Sequence, residues 1–167
     1  MGGALQVQDI DGRVIEPLMV EDACAHVLLF TTVDCPIANG YAPAIARLAG
    51  EYTGAGVKFF LVHVDPDVDA ARAREHASDY GYTLPVLLDP EHDLVEAVGA
   101  TVTPEVAVLD GRGEIAYLGR IDNWYAALGK KRRQATTSDL ADALDAVLDG
   151  RPVEVSWAPA VGCLIPD

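Results

Sequence analysis

His26-Val27-Leu28-Leu29-Phe30-Thr31-Thr32-Val33, followed at once by Asp34-Cys35-Pro36, is the stretch on which the fold turns. The run has no polar alternation, the pattern of a central strand buried on both faces. Pro36 suits the first position of a helix, where its missing N–H costs nothing. Cys35 therefore stands at a strand-to-helix junction, at the carboxyl end of a central strand where open α/β sheets place their sites. The first helical turn offers unpaired N–H groups and about half a unit of positive charge. A thiolate held there can have its pKa drawn from roughly 8.5 into the range of about 3.5–7.5. Asp34 opposes this, since an adjacent negative charge raises a thiol pKa. A cysteine beside a buried strand also serves as a small hydrophobe without chemistry; the helix that follows favours a redox or nucleophilic role.

Outward from this junction, strand and helix patterns alternate. Residues 5–8 and 14–15 flank Asp11-Gly12, a hairpin signal within an N-terminal segment of residues 1–20. The Cys35 helix is expected to run to about Tyr52 and to stop at Gly54 and Gly56. Residues 57–64 read as a second buried strand, 67–80 as a charged surface helix, 84–88 as a short strand and 91–98 as a short helix. Residues 102–109 and 115–118 form a hairpin across Asp110-Gly111-Arg112-Gly113, and Thr136-Thr137-Ser138-Asp139 caps a last helix ending near Leu148. This order predicts an α/β fold, a mixed sheet flanked by helices, in one domain over 1–167 with a tail from 150 to 167.

Composition narrows the partners. Half of the 167 residues are apolar and 23% are charged, as in a globular chain. A formal charge of −14 argues against nucleic acid and against anionic membrane as partners. No stretch reaches the ~20 apolar residues of a membrane span. The N-terminus lacks a signal-peptide pattern, so a cytoplasmic location is expected unless a leader has been removed. No cofactor is expected. His26, His63, His76 and His92 are scattered, and none pairs with a cysteine at metal-ligand spacing.

Ala42-Pro43, seven and eight positions after Cys35, resembles the Ala-Pro that kinks the active-site helix of the thioredoxin superfamily. Thr103-Pro104 resembles that family's cis-proline loop, which faces the cysteine and offers backbone groups to a bound disulfide or peptide. Ala38 stands where the second cysteine of Cys-x-x-Cys would be, so no disulfide closes within the motif. A peroxiredoxin register keeps Thr32 but puts Leu28 where its proline belongs. Asp34-Cys35-Pro36 with Asn39 and Tyr41-Ala42-Pro43, Thr103-Pro104, Gly119-Arg120-Ile121-Asp122, Gly129-Lys130-Lys131-Arg132-Arg133 and Gly162-Cys163 together resemble the peroxiredoxin-like redoxins related to the alkyl hydroperoxide reductase/thiol-specific antioxidant family. These motifs extend over nearly the whole chain. The resemblance implies a thioredoxin-like three-layer fold and thiol-dependent oxidoreductase chemistry of an antioxidant type. It makes Cys35 the redox-active thiol, with Pro36, Asn39, Thr32, Thr103 and Pro104 positioning it and its partner. Copper-binding relatives of the fold use Cys-x₃-Cys, and Asn39 occupies that second position here.

The remaining candidates stay open at this level. Cys24 precedes the first central strand, which separates it from Cys35 by about 25 Å, so a structural thiol is expected. Cys163 lies in a proline-rich tail free to fold back over Cys35. It either resolves an oxidised Cys35 or packs with Trp157 and Leu164. Arg120 is a candidate to stabilise the Cys35 thiolate, and Glu105 is expected to face solvent. Lys130-Lys131-Arg132-Arg133 reads as a solvated loop balancing nearby aspartates, or else as an anion or partner site. The expected partners are a thiol or disulfide substrate and an external thiol reductant. A one-cysteine peroxidase and a non-catalytic interaction module are the alternatives.

Overall fold

The computed structural model describes residues 4–167. In chain order the elements are β1 (Val7–Asp9), β2 (Val14–Ile15), β3 (Ala25–Thr31), α1 (Pro36–Gly40), α2 (Ala42–Thr53), β4 (Val57–His63), α3 (Ala70–Asp79), β5 (Val86–Leu88) and α4 (Asp93–Val98). Then come β6 (Val102–Thr103), β7 (Glu105–Leu109), β8 (Ile115–Gly119), β9 (Tyr125–Ala127), β10 (Lys130–Lys131), α5 (Asp139–Leu148), β11 (Trp157–Ala158) and β12 (Cys163–Leu164). The main sheet has the order β11-β8-β7-β3-β4-β5-β1-β2. At its centre β3 runs parallel to β4, from Ala25 opposite Val57 to Thr31 opposite His63, and antiparallel to β7. The sheet is mixed and flanked by helices, as expected.

Alternation along β3 explains the layers. Val27 and Leu29 join Ile45 and Leu48 of α2 and Leu140 and Leu144 of α5 in one buried cluster. Leu28 and Phe30 point the other way, onto Leu94, Val95 and Val98 of α4. Side chains of successive strand residues take opposite faces, so a strand covered on both sides must be apolar throughout. All seven residues of β3 are buried.

The structure departs from the sequence reading in places with identifiable causes. The expected single kinked helix from Cys35 is two helices broken at Tyr41, whose N–H bonds back to the Ala38 carbonyl. A continuous helix would bury the ring of Pro43 against the preceding turn; restarting at Ala42 puts Pro43 in a first turn, where no N–H is required. The charged helix begins only at Ala70, because Asp69 accepts the Arg72 N–H and caps it. Glu105 does not face solvent: it is buried, and its carboxylate accepts the Thr101 N–H at 2.7 Å. The tail is no free segment. Its β11 lies parallel to β8, and β12 pairs antiparallel with β6. Cys24 is a free cysteine, exposed rather than packed in the core.

Candidate active site

Cys35 occupies the last extended position before α1, with φ −82° and ψ 108°, and Pro36 begins the helix. Its Sγ accepts the Ala38 N–H at 3.4 Å, so one orphan donor of the first turn is aimed at the sulfur. The segment leading into Cys35 is held from two sides. Asp65, after β4, accepts the Val33 N–H at 2.9 Å, and Asn39 Nδ2 donates to the Val33 carbonyl at 3.0 Å. Asn39 Oδ1 in turn meets His76 Nε2 at 2.8 Å, which ties α1 to α3. Asn39 thus positions the cysteine loop through its backbone rather than by touching the sulfur.

Thr103, with Pro104 next in the chain, comes against Cys35. The Thr103 carbonyl is 3.2 Å from Cys35 Sγ, and the Thr103–Pro104 peptide bond is cis. Thr103 is fully buried, and its hydroxyl has no hydrogen-bond partner among the described residues. Cys163 closes the site from above. It is disulfide-bonded to Cys35 with Cα atoms 6.1 Å apart, inside the usual range for such a link. β12 sets this pairing by placing Cys163 opposite Thr103 and Leu164 opposite Val102. Gly162 lets the tail approach: a Cβ there would run into the Thr103 carbonyl. Under this cover Cys35 is only 1% exposed, while Cys163 is half-buried.

Two candidates do not join the site as expected. Arg120 is turned away from the sulfur; its Nε donates to Asp139 at 2.9 Å, at the start of α5, and it serves as a clamp between β8 and that helix. Thr32 is buried in the approach to Cys35 but makes no hydrogen bond to the sulfur, whose polar neighbours among the described residues, besides its bond to Cys163, are the Thr103 carbonyl and the Ala38 N–H.

Several site residues were not evident as such in the sequence. His63, at the end of β4, is fully buried with neither ring nitrogen bonded among the described residues, and its ring sits edge-on to His76 at 4.8 Å. Burial, with the charges of His76 and Arg72 adding to it, pushes His63 down to about 3. Burial also lowers His76 and raises Asp65 above the usual carboxylate range. On the other flank, Tyr41 donates to Asp122 at 2.6 Å, and its ring meets Trp124 edge-on and Tyr125 at a tilt. The spacing Val62-His63-Val64-Asp65 was the one available signal for the first group; of the second, Tyr41 and Asp122 lay in the resemblance motifs without a role, and nothing local marked Trp124 and Tyr125.

Among the described residues, no group of three His, Cys, Asp or Glu side chains is arranged to hold a metal ion.

Relatives agree with this architecture. Over 110 residues the chain is 26% identical to the thiol-disulfide oxidoreductase ResA of Halalkalibacterium halodurans, an alignment spanning 65% of this chain and 60% of that relative's length. A hypothetical protein of Sinorhizobium meliloti 1021 superposes with a TM-score of 0.84 at 27% identity, covering 96% of this chain and 89% of the other. A secreted disulfide oxidoreductase of Mycobacterium tuberculosis shares the fold, with a TM-score of 0.63 at 17% identity over 86% of this chain and 96% of its own. The thioredoxin-like frame is common to them. The AhpC/TSA family model matches residues 4–118, and the chain belongs to the AhpC/TSA family.

Proposed function

We propose that this protein is a thiol–disulfide oxidoreductase in which Cys35 exchanges with the substrate and Cys163 resolves the product. The observation that carries this reading is the tail cysteine bonded to Cys35 and paired opposite Thr103. With the tail released, the Cys35 thiolate attacks one sulfur of a substrate disulfide. A Cys35–substrate bond forms and the second substrate sulfur leaves as a thiolate. The Cys163 thiolate then attacks Cys35 Sγ, the remaining substrate thiolate leaves, and the Cys35–Cys163 disulfide closes. The substrate has gained two electrons and the protein has lost two.

Regeneration needs two equivalents of an external thiol. In the closed form Cys35 is buried and Cys163 is the more accessible sulfur. An external thiolate attacks Cys163, and Cys35 leaves as a thiolate beside the Ala38 N–H. A second thiol displaces the first from Cys163. The better-stabilised thiolate is thereby the leaving group, the arrangement that speeds exchange.

Turnover of a mixed-disulfide substrate tests the reading. Cys35→Ser is expected to abolish turnover, whereas Cys163→Ser is expected to accumulate a Cys35–substrate adduct. Full activity in Cys35→Ser refutes it. Stoichiometric peroxide consumption with a dimedone-trapped Cys35 and no disulfide turnover would instead favour a one-cysteine peroxidase.

A further inference from the structure

Lys130, Lys131, Arg132 and Arg133 are all exposed, and none forms an ion pair with a carboxylate among the described residues. They are solvated, as the sequence had suggested, without a direct pair to a nearby aspartate among the described residues. On a chain of net charge −14 with only twelve Lys and Arg, four adjacent cations without an acidic partner form a local field opposite to that of the whole molecule. Lys131 is turned over the Trp124 ring at 4.8 Å, and Arg132 Nη1 donates to the Asn123 carbonyl at 2.7 Å. Lys130 and Arg133 make no side-chain hydrogen bond among the described residues and are free to meet a partner.

The hairpin carrying them is fastened to the redox helix. Trp124 meets Tyr41 edge-on at 5.3 Å and Tyr125 at 5.2 Å. A Cβ on Gly40, the last residue of α1, would touch Trp124 at 3.6 Å. Gly40 follows Cys35 by five positions, about 7.5 Å along a helix axis. Tyr125 also lines one small cleft together with Pro104, Ala160 and Val161. The residues just ahead of Cys163 thus run from the foot of the hairpin to the sulfur.

We infer that the β9–β10 hairpin is a docking arm for an acidic polypeptide segment whose cysteine is exchanged at Cys35. This rests on the redox reading and names its substrate class. The tail supplies the template: a segment following its path pairs with β6 and sends its N-terminal side past Tyr125 toward the cations. An extended chain covers about 3.3 Å per residue. The acidic residues therefore belong roughly three to five positions before the cysteine, a span beyond a small thiol.

The test uses C24S/C163S protein, whose only thiol is Cys35, and synthetic peptides each carrying one cysteine as a 2-thiopyridyl mixed disulfide. Attack by Cys35 forms the Cys35–peptide bond and releases pyridine-2-thione, which is followed at low and high salt. One peptide places Glu before the cysteine, a second places Glu after it, and a third places Lys before it. The first is expected to react on the order of tenfold faster than the third at low salt, an advantage that high salt removes. The second is expected to gain little. Adding Lys130→Glu and Arg133→Glu removes the preference, and Lys130→Arg with Arg133→Lys keeps it. Repulsion from the net charge alone predicts the opposite order. A faster Lys peptide, equal rates, or a preference that survives charge reversal overturns the inference. So does an equal advantage of dithiodipropionate over cystamine, which would mean that a lone carboxylate is read. Absence of reaction with neutral dipyridyl disulfide would defeat the redox reading instead. Docking is then decided separately, by anisotropy of a labelled Glu peptide with serine in place of cysteine: binding lost on charge reversal supports the arm, and no binding overturns it.

Discussion

Cutting the link between Cys35 and Cys163 has a computable effect on stability. The two residues are 128 positions apart, so the disulfide closes a loop over most of the chain. The chain-entropy relation for a loop of that length gives about 5 kcal/mol of stabilisation, and native disulfides commonly deliver about 2–5 kcal/mol. Cys163→Ser, or reduction of the wild type, is therefore expected to lower stability by about 3–5 kcal/mol. In a domain of this size each 1 kcal/mol moves Tm by roughly 2–4 °C, which puts the expected fall at roughly 6–20 °C. Thermal unfolding followed by circular dichroism, with and without reductant, measures it. Exposed Cys24 supplies the control, since Cys24→Ser should leave both curves within about 0.5 kcal/mol of the wild type. Oxidised and reduced wild type unfolding within about 2 °C of each other would refute the reasoning, because a covalent clasp over so long a loop cannot be silent.

Other consequences follow from individual contacts. Gly162→Ala puts a methyl group against the Thr103 carbonyl, so the tail disulfide should be reduced about tenfold more readily in glutathione buffers, with the fold unchanged by circular dichroism; an unchanged equilibrium counts against the latch. Buried His63 and His76 take a proton less readily in the fold than in the unfolded chain. Both contributions are complete above about pH 6.5 and are lost as pH falls below it, that of His63 down to about 3, at up to about 1.4 kcal/mol per pH unit for each group. Urea melts between pH 7 and 5 should show a shallower loss in His63→Asn than in the wild type, and parallel slopes would exclude His63 as the source. Asn123 is buried and accepts the Thr136 and Thr137 N–H groups at 2.7 and 3.0 Å. Asn123→Ala should cost about 2–3 kcal/mol and admit proteases at residues 123–137; resistance equal to the wild type would show that those donors find other partners.

The readable part of the sequence was the part with strong periodicity or strong chemistry. β3 and β4 announced themselves because strands covered on both faces read as near-continuous apolar runs, interrupted in β4 by the exposed Lys58 near its start. Cys35 and Pro36 were recognisable from local chemistry and Thr103-Pro104 from a family resemblance, and the Thr103 carbonyl lies 3.2 Å from the Cys35 sulfur. The tail was not readable: β11 and β12 are two residues each, too short for any period, and they are fixed by long-range pairing with β8 and β6. Gly162 carries its signal only once the Thr103 carbonyl is known to lie against it. Arg120 was misplaced for a similar reason, since the chain alone did not bring Asp139 within 2.9 Å of it. Glu105 was misread because a lone carboxylate after a turn usually meets water; here the N–H groups of Thr101 and Val102 receive it instead. The hairpin from Tyr125 to Lys131 has weak strand propensity and is shaped by the aromatic contacts of Trp124 and Tyr125 with Tyr41.

Which sulfurs join when the protein gives up the electrons of its thiols to an oxidant is the most direct question to put to it. The reduced wild type, treated with one equivalent of a neutral disulfide, digested without reductant and mapped by mass spectrometry, is predicted to yield one linked peptide pair, Cys35 with Cys163, and a free Cys24. Recovery of Cys24 in the linked pair, or of Cys35 and Cys163 both still as thiols after the oxidant is consumed, would contradict the account.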